Sequence, residues 1–272
     1  MKKVINSIYI GAENKKSLFD ISIPDNWNNK LVIFIHGYMG YKDWGCWELV
    51  QEYFNNYKFG FLKYNVSHNG GTITNPIDFD DLESFSKNSY TKEIEDFDSI
   101  IRLIKDKFKL LPEIYIIGHS RGGGIALLQS SNEYVSKIVS WAGISSISDR
   151  FPKGKKLKKW KENGVYYQMN SRTLQNMPHK YSLFIDFTNN KDILNIKKYC
   201  KNSKIPTLVI HGENDTSVDL SEGENIAKWL NTKLIKIRGA QHTFGSTQPW
   251  KTRKLPNHLK EVCEQTKNFL EK

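Results

Sequence analysis

The sequence predicts an α/β protein with a mostly parallel central sheet, helices on both faces, and one inserted segment. Three observations predict it. Short apolar runs alternate with longer helix-compatible stretches, the rhythm of a parallel sheet flanked by helices. One run, residues 31–35, reads Leu-Val-Ile-Phe-Ile and is apolar at every position, as a strand covered on both faces must be. The rhythm then lapses from about 144 to 203, far beyond the roughly 15 residues of an ordinary loop. That segment is expected to cap the sheet's active edge, within a single domain spanning 1–272.

In order along the chain, residues 4–10 and 17–23 read as an early strand pair, 31–35 as the first buried strand and 60–66 as the next, after a helix near 44–57. Over 90–108, Ile94, Phe97, Ile101, Ile104 and Phe108 fall at helical spacing and give one apolar face. Pro112 breaks that helix, and 114–117 re-enters the sheet. A helix opens after Ser120, strands follow at 137–141, 207–211 and 234–237, and 259–270 reads as a closing helix.

A chain of 272 residues with 39% hydrophobic and 12% aromatic content can bury a full core. No run approaches the roughly 18 apolar residues of a membrane span. The start, Met1-Lys2-Lys3-Val4-Ile5-Asn6-Ser7, carries no apolar stretch of signal-peptide length, so a cytoplasmic location is expected. Cys46, Cys200 and Cys263 are odd in number and far apart, a pattern of idle buried thiols and of neither a disulfide framework nor a metal site. The net charge of +11 gathers locally in Lys153, Lys155, Lys156, Lys158, Lys159 and Lys161. Such a run reads as a solvated face, and no zinc-finger, basic-zipper or aromatic RNA-binding pattern accompanies it, so no nucleic-acid partner is expected.

The chemistry concentrates in three places. Gly118-His119-Ser120-Arg121-Gly122 follows an apolar strand and opens a helix. A turn this tight strains the backbone at the serine, and side chains two residues to either side would collide, which requires glycine there. The hydroxyl is thereby raised beside the positive end of the following helix. Stabilising a developing oxyanion needs aligned backbone N–H groups. The amide of Arg121 is one expected donor. The loop after the first buried strand, His36-Gly37-Tyr38-Met39-Gly40, offers the other, from Tyr38 or alternatively Met39.

A serine nucleophile needs a base, and the base needs an acid to hold its tautomer. Asp215 follows a late strand in His211-Gly212-Glu213-Asn214-Asp215, with Glu213 and Asp219 as neighbouring alternatives, and His242 follows the last strand in Gly239-Ala240-Gln241-His242. Of the other histidines, His36 and His119 sit inside the two turns, where packing or backbone hydrogen bonds are the plainer reading, His211 ends a strand, and His68, His179 and His258 lack a matching context. For the pocket, Met39 and Trp141 are expected wall residues, each equally suited to core packing. The inserted segment adds Trp160, Tyr166, Tyr167, Met169, Met177 and Phe184, with Arg150 and Arg172 unassigned.

With these pieces in place, the sequence resembles the α/β-hydrolase superfamily from about residue 31 onward. Within it the chain is similar to the small esterase and serine-aminopeptidase-like group, which includes dienelactone-hydrolase and feruloyl-esterase relatives. Arg121 after the serine resembles acyl-peptide hydrolases, although their usual propeller domain has no counterpart here. The resemblance implies Ser120, Asp215 and His242 as a triad, no metal or organic cofactor, and a small-molecule ester or amide as substrate. Ester hydrolysis through an acyl-enzyme is the expected activity. Peptidase or amidase activity is the alternative, and a non-catalytic binding protein of the same fold is the third reading.

Overall fold

In the computed structural model, which describes residues 1–272, one eight-stranded sheet organises the molecule. The chain enters as an antiparallel pair, β1 (Lys2–Ile10) and β2 (Lys16–Ile23). It continues through β3 (Lys30–Ile35), α1 (Trp47–Asn56), β4 (Gly60–Tyr64), a short α2 (Leu82–Ser86) and α3 (Tyr90–Lys107). Next come β5 (Glu113–His119), α4 (Arg121–Leu128) and β6 (Val135–Trp141). The chain then leaves the sheet for α5 (Lys155–Asn163), a hairpin of β7 (Val165–Met169) and β8 (Asn176–Lys180), α6 (Ser182–Asn189) and α7 (Ile196–Asn202). It returns through β9 (Thr207–Gly212), α8 (Leu220–Leu230), β10 (Leu234–Ile237) and α9 (Asn257–Glu271). No helix is long and apolar enough to cross a membrane.

The strand order is β1-β2-β4-β3-β5-β6-β9-β10, parallel from β4 to β10. Alternation along β3 divides the core. Leu31, Ile33 and Ile35 face the side covered by Phe97, Ile100 and Ile104 of α3, Ile125 of α4 and Ile226 of α8. Val32 and Phe34 face the opposite side, covered by Trp47, Val50 and Phe54 of α1 and Leu259, Val262 and Leu270 of α9. Successive side chains on a strand point to opposite faces, so one wholly apolar run supplies both cores. Side-chain caps fix several helix starts: Ser89 accepts from Lys92 N at α3, and Asp219 from Ser221 N at α8.

β3 connects outward to β4, and the chain then crosses back to β5 on the other side of β3. The carboxyl ends of β3 and β5 therefore flank a topological switch point, where sheets of this kind open a crevice. The loops after β3, β5, β9 and β10 all gather at that edge.

No sequence pattern singles out α2, α5, α6, α7, α8 or the β7–β8 hairpin. The segment between β6 and β9 has an aromatic centre of its own: buried Trp160 packs edge-on against Tyr166 and Tyr181, and its Nε1 donates to the carbonyl of His179 at 2.8 Å.

Candidate active site

The turn after β5 is forced by contact. A Cβ on Gly118 would lie 2.2 Å from the carbonyl oxygen of Gly122, and one on Gly122 would lie 2.3 Å from that of Ile35. Neither contact is tolerable, so both positions need glycine. Ser120 between them has φ 59° and ψ −121°, a strained conformation of the kind that clusters at functional sites. Its N–H donates to the carbonyl of Trp141 at 2.9 Å, and its carbonyl accepts from Gly123 and Ile144. The hydroxyl is left to project from the end of α4.

There it meets His242, whose Nε2 lies 2.9 Å from Ser120 Oγ. On the far side of the ring, Nδ1 lies 2.7 Å from Asp215 Oδ2. An ionised carboxylate only accepts, so Nδ1 carries the proton and donates. Nε2 is thereby the acceptor, and Ser120 donates to it. Asp215 Oδ1 accepts from the backbone N–H groups of Ser217 (2.8 Å) and Val218 (2.9 Å). His211 Nε2 is a further neighbour, 3.3 Å from Oδ2. Burial pushes the Asp215 carboxyl upward, but the hydrogen bonds from His211, His242 and Val218 outweigh it and hold the group below the usual carboxylate range.

His242 is itself tethered. The Nε2 of His119 donates to the His242 carbonyl at 2.9 Å, and the two rings stand 4.8 Å apart. Burial lowers the His119 pKa to about 3, helped by the neighbouring His242, so this histidine is a neutral donor.

The loop after β3 closes on the same point. Gly40 N donates to Gly37 O at 3.0 Å, turning the chain through Tyr38 and Met39, and Met39 has φ 53°. His36 steadies the loop, accepting from Val66 N through Nε2 at 3.1 Å. The amides of Tyr38, Met39 and Arg121 have no acceptor within the protein. These three free donors sit in the two turns that flank Ser120.

These residues open onto a cavity of about 750 Å³. Met39 lines it, together with Trp44, Tyr90, Ile144, Phe151 and Leu183. Trp141 does not. It is 0% exposed, packs against Phe34 and Trp47 in the core under α1 and α9, and donates from Nε1 to Thr266 Oγ1 at 2.9 Å. The expectation that it forms a pocket wall is therefore corrected: alternation along β6 turns it, like Val139, away from the crevice. Trp141→Ala should cost about 3–5 kcal/mol of stability, read as a shift of the urea midpoint. A change under about 1 kcal/mol would contradict the packing described.

The inserted segment contributes Tyr166, Gln168, Met169 and His179 to the cavity, whereas Tyr167 is 61% exposed and Met177 packs on Phe79 and Phe85. His179 had no distinguishing sequence context. Its Nε2 lies 2.7 Å from the hydroxyl of Tyr38, which also donates to Gln168 Oε1 at 3.2 Å. The β7–β8 hairpin thus grips the side chain of the β3 loop. No group of three or more His, Cys, Asp or Glu side chains is arranged to hold a metal ion.

Neither a family model nor a curated protein sequence matches the chain. Solved structures do match. Est1E from Butyrivibrio proteoclasticus superposes with a TM-score of 0.72 at 18% identity, over 97% of this chain and 96% of that one. A putative hydrolase from Agrobacterium vitis S4 gives 0.74 at 15% identity, over 98% of both chains. A monoacylglycerol lipase from Paleococcus ferrophilus gives 0.67 at 14% identity, over 93% of this chain and 98% of that one. The chain has the α/β-hydrolase fold, with β1 and β2 as its antiparallel edge.

Proposed function

We propose that the protein is a serine hydrolase that cleaves carboxylic esters through an acyl-enzyme. The observation that carries this reading is the unbroken hydrogen-bonded line from Ser120 through His242 to Asp215, opening beside free backbone amides. His242 takes the proton of Ser120 as Oγ attacks the ester carbonyl. The amides of Arg121 and Tyr38 hold the oxyanion, with Met39 as the alternative to Tyr38. The protonated imidazole, stabilised by Asp215, then gives its proton to the departing alcohol. Water activated by His242 attacks the acyl-enzyme and releases the acid. In this reading residues 144–203 are a cap on a single domain, and the chain's own groups suffice without a cofactor.

Esterase and lipase neighbours of the same fold support the ester class, and one neighbour was solved as "Ferulic Acid bound to Est1E from Butyrivibrio proteoclasticus". The cavity disfavours the aminopeptidase alternative. A substrate's α-ammonium needs a carboxylate, and Asp149, the one acid among the lining residues, is exposed and paired with Lys153 at 2.9 Å.

Purified protein is expected to hydrolyse 4-nitrophenyl butyrate with saturable kinetics and to turn over an aminoacyl anilide far more slowly. No release above the buffer rate, or preference for the anilide, would overturn the assignment. Tyr38→Phe removes the hydroxyl held by His179 and Gln168, loosening the loop that supplies an oxyanion amide. The expected loss is about 1 kcal/mol, or roughly fivefold in kcat with KM little changed. Steady-state kinetics with unaltered kcat would show that the hairpin's grip is irrelevant to turnover.

A further inference from the structure

The cavity wall carries cationic groups whose counter-charges lie behind them. Arg121 is a buried side chain, 9% exposed, with its guanidinium carbon 3.8 Å from the centre of the Tyr90 ring. Its Nη2 lies 2.8 Å from Oε1 of Glu93, itself 5% exposed. Arg150 repeats the arrangement, with Nη2 2.5 Å from Oε1 of Glu222. The other oxygen of Glu222 is occupied by Ser145 N at 2.8 Å, and Glu93 also accepts from Asn88 at 2.8 Å. Both arginines line the cavity, whereas neither glutamate does. Each ion pair therefore presents its positive end to the enclosed space.

The donor inventory sharpens the point. A guanidinium offers five N–H donors and no acceptor. Nε of both arginines is sealed from solvent with no hydrogen-bond partner, and Nη2 of each is held by its own glutamate. Nη1 of each arginine makes no protein hydrogen bond and is not among the sealed atoms. The two side chains converge on one feature: Arg121 stacks on the Tyr90 ring, and both Arg121 and Arg150 lie near enough to the Tyr90 hydroxyl to oppose the upward push that burial gives its pKa. Arg172, by contrast, is committed to Asp78 (3.2 Å) and the carbonyl of Ile77 (2.7 Å).

Resting on the esterase reading above, we propose that Arg121 and Arg150 form a carboxylate subsite, so that the preferred substrates are esters carrying a free carboxylate on the acyl chain. Guanidinium groups held rigidly by a rear carboxylate lose little freedom on binding and match the planar geometry of a second carboxylate in front. The net charge of +11 favours encounter with an anionic substrate. Asp149, the one lining acid, is already neutralised by Lys153.

The test compares monomethyl adipate with its neutral analogue dimethyl adipate, following methanol release. The wild-type protein should favour the monoanion by at least about tenfold in kcat/KM. Arg150→Met should bring that ratio close to one, and Arg150→Lys should keep part of it. Arg150 is the informative position, because Arg121 also supplies an oxyanion amide and its removal leaves Glu93 buried and unpaired. A binding arm needs no turnover: adipate should bind the Ser120→Ala protein in calorimetry, and at least about tenfold more weakly once Arg150→Met is added. A wild-type ratio at or below one, a ratio that survives Arg150→Met, or no adipate binding would each overturn the subsite. If 4-nitrophenyl butyrate is hydrolysed while the adipate ratio is at or below one, the esterase reading stands and the subsite falls. If no ester is hydrolysed but adipate binds through Arg150, the subsite stands and the esterase reading falls.

Discussion

Ser120→Ala is expected to lower turnover of 4-nitrophenyl butyrate by at least about 10⁴-fold, because a nucleophile and its base act as one unit and the loss of either removes the pathway. The fold should be unaffected. The substitution removes one hydroxyl whose partner is His242 Nε2, and alanine bears the φ of 59° no worse than serine does. Kinetics and a thermal melt on the same preparation read both halves. A variant that melts with the wild type yet keeps more than about 1% of the rate would place the nucleophile elsewhere.

Asp215→Asn should cost about 10³–10⁴-fold in kcat with the fold retained, and the hydrogen bonds dictate why. Oδ1 accepts two backbone N–H groups, from Ser217 and Val218. In the variant the amide oxygen must stay at that position, so the NH₂ group faces His242 Nδ1. Nδ1 then has to accept, the proton moves to Nε2, and the ring can no longer take the proton of Ser120. A loss under about tenfold would mean that Asp215 does not set the tautomer. The carboxylate is held below its usual range by His211, His242 and Val218 against the opposing effect of burial, so its charge persists well into acid.

The legible parts of this molecule are those fixed by short stretches of chain. Residues 31–35 announce a strand buried on both faces, and the structure divides them between two cores. Gly118 and Gly122 announce a turn that no Cβ fits. Ser120, Asp215 and His242 were selected because each follows a strand, and in a parallel sheet the carboxyl ends of neighbouring strands share one edge. Their separations of 2.9 and 2.7 Å follow from that topology.

What was not legible depends on where distant segments land. His179 lies 141 positions from Tyr38 in sequence, and only the placement of the β7–β8 hairpin brings them to 2.7 Å. Arg150 and Glu222 are 72 positions apart. Trp141 is a different case, because a local signal was available: it shares the parity of Val139 on β6, and alternation assigns both to the face under α1 and α9. An aromatic residue at a strand end beside Ser120 is no evidence of a pocket wall when its register points the other way.

The central claim, that Ser120 is an activated nucleophile, is tested most directly by mass spectrometry after treatment with a fluorophosphonate. The account predicts a single stoichiometric adduct on the peptide containing Ser120, abolished in Ser120→Ala and strongly slowed in Asp215→Asn. An unlabelled wild-type protein, or an adduct mapped to another residue, would contradict it.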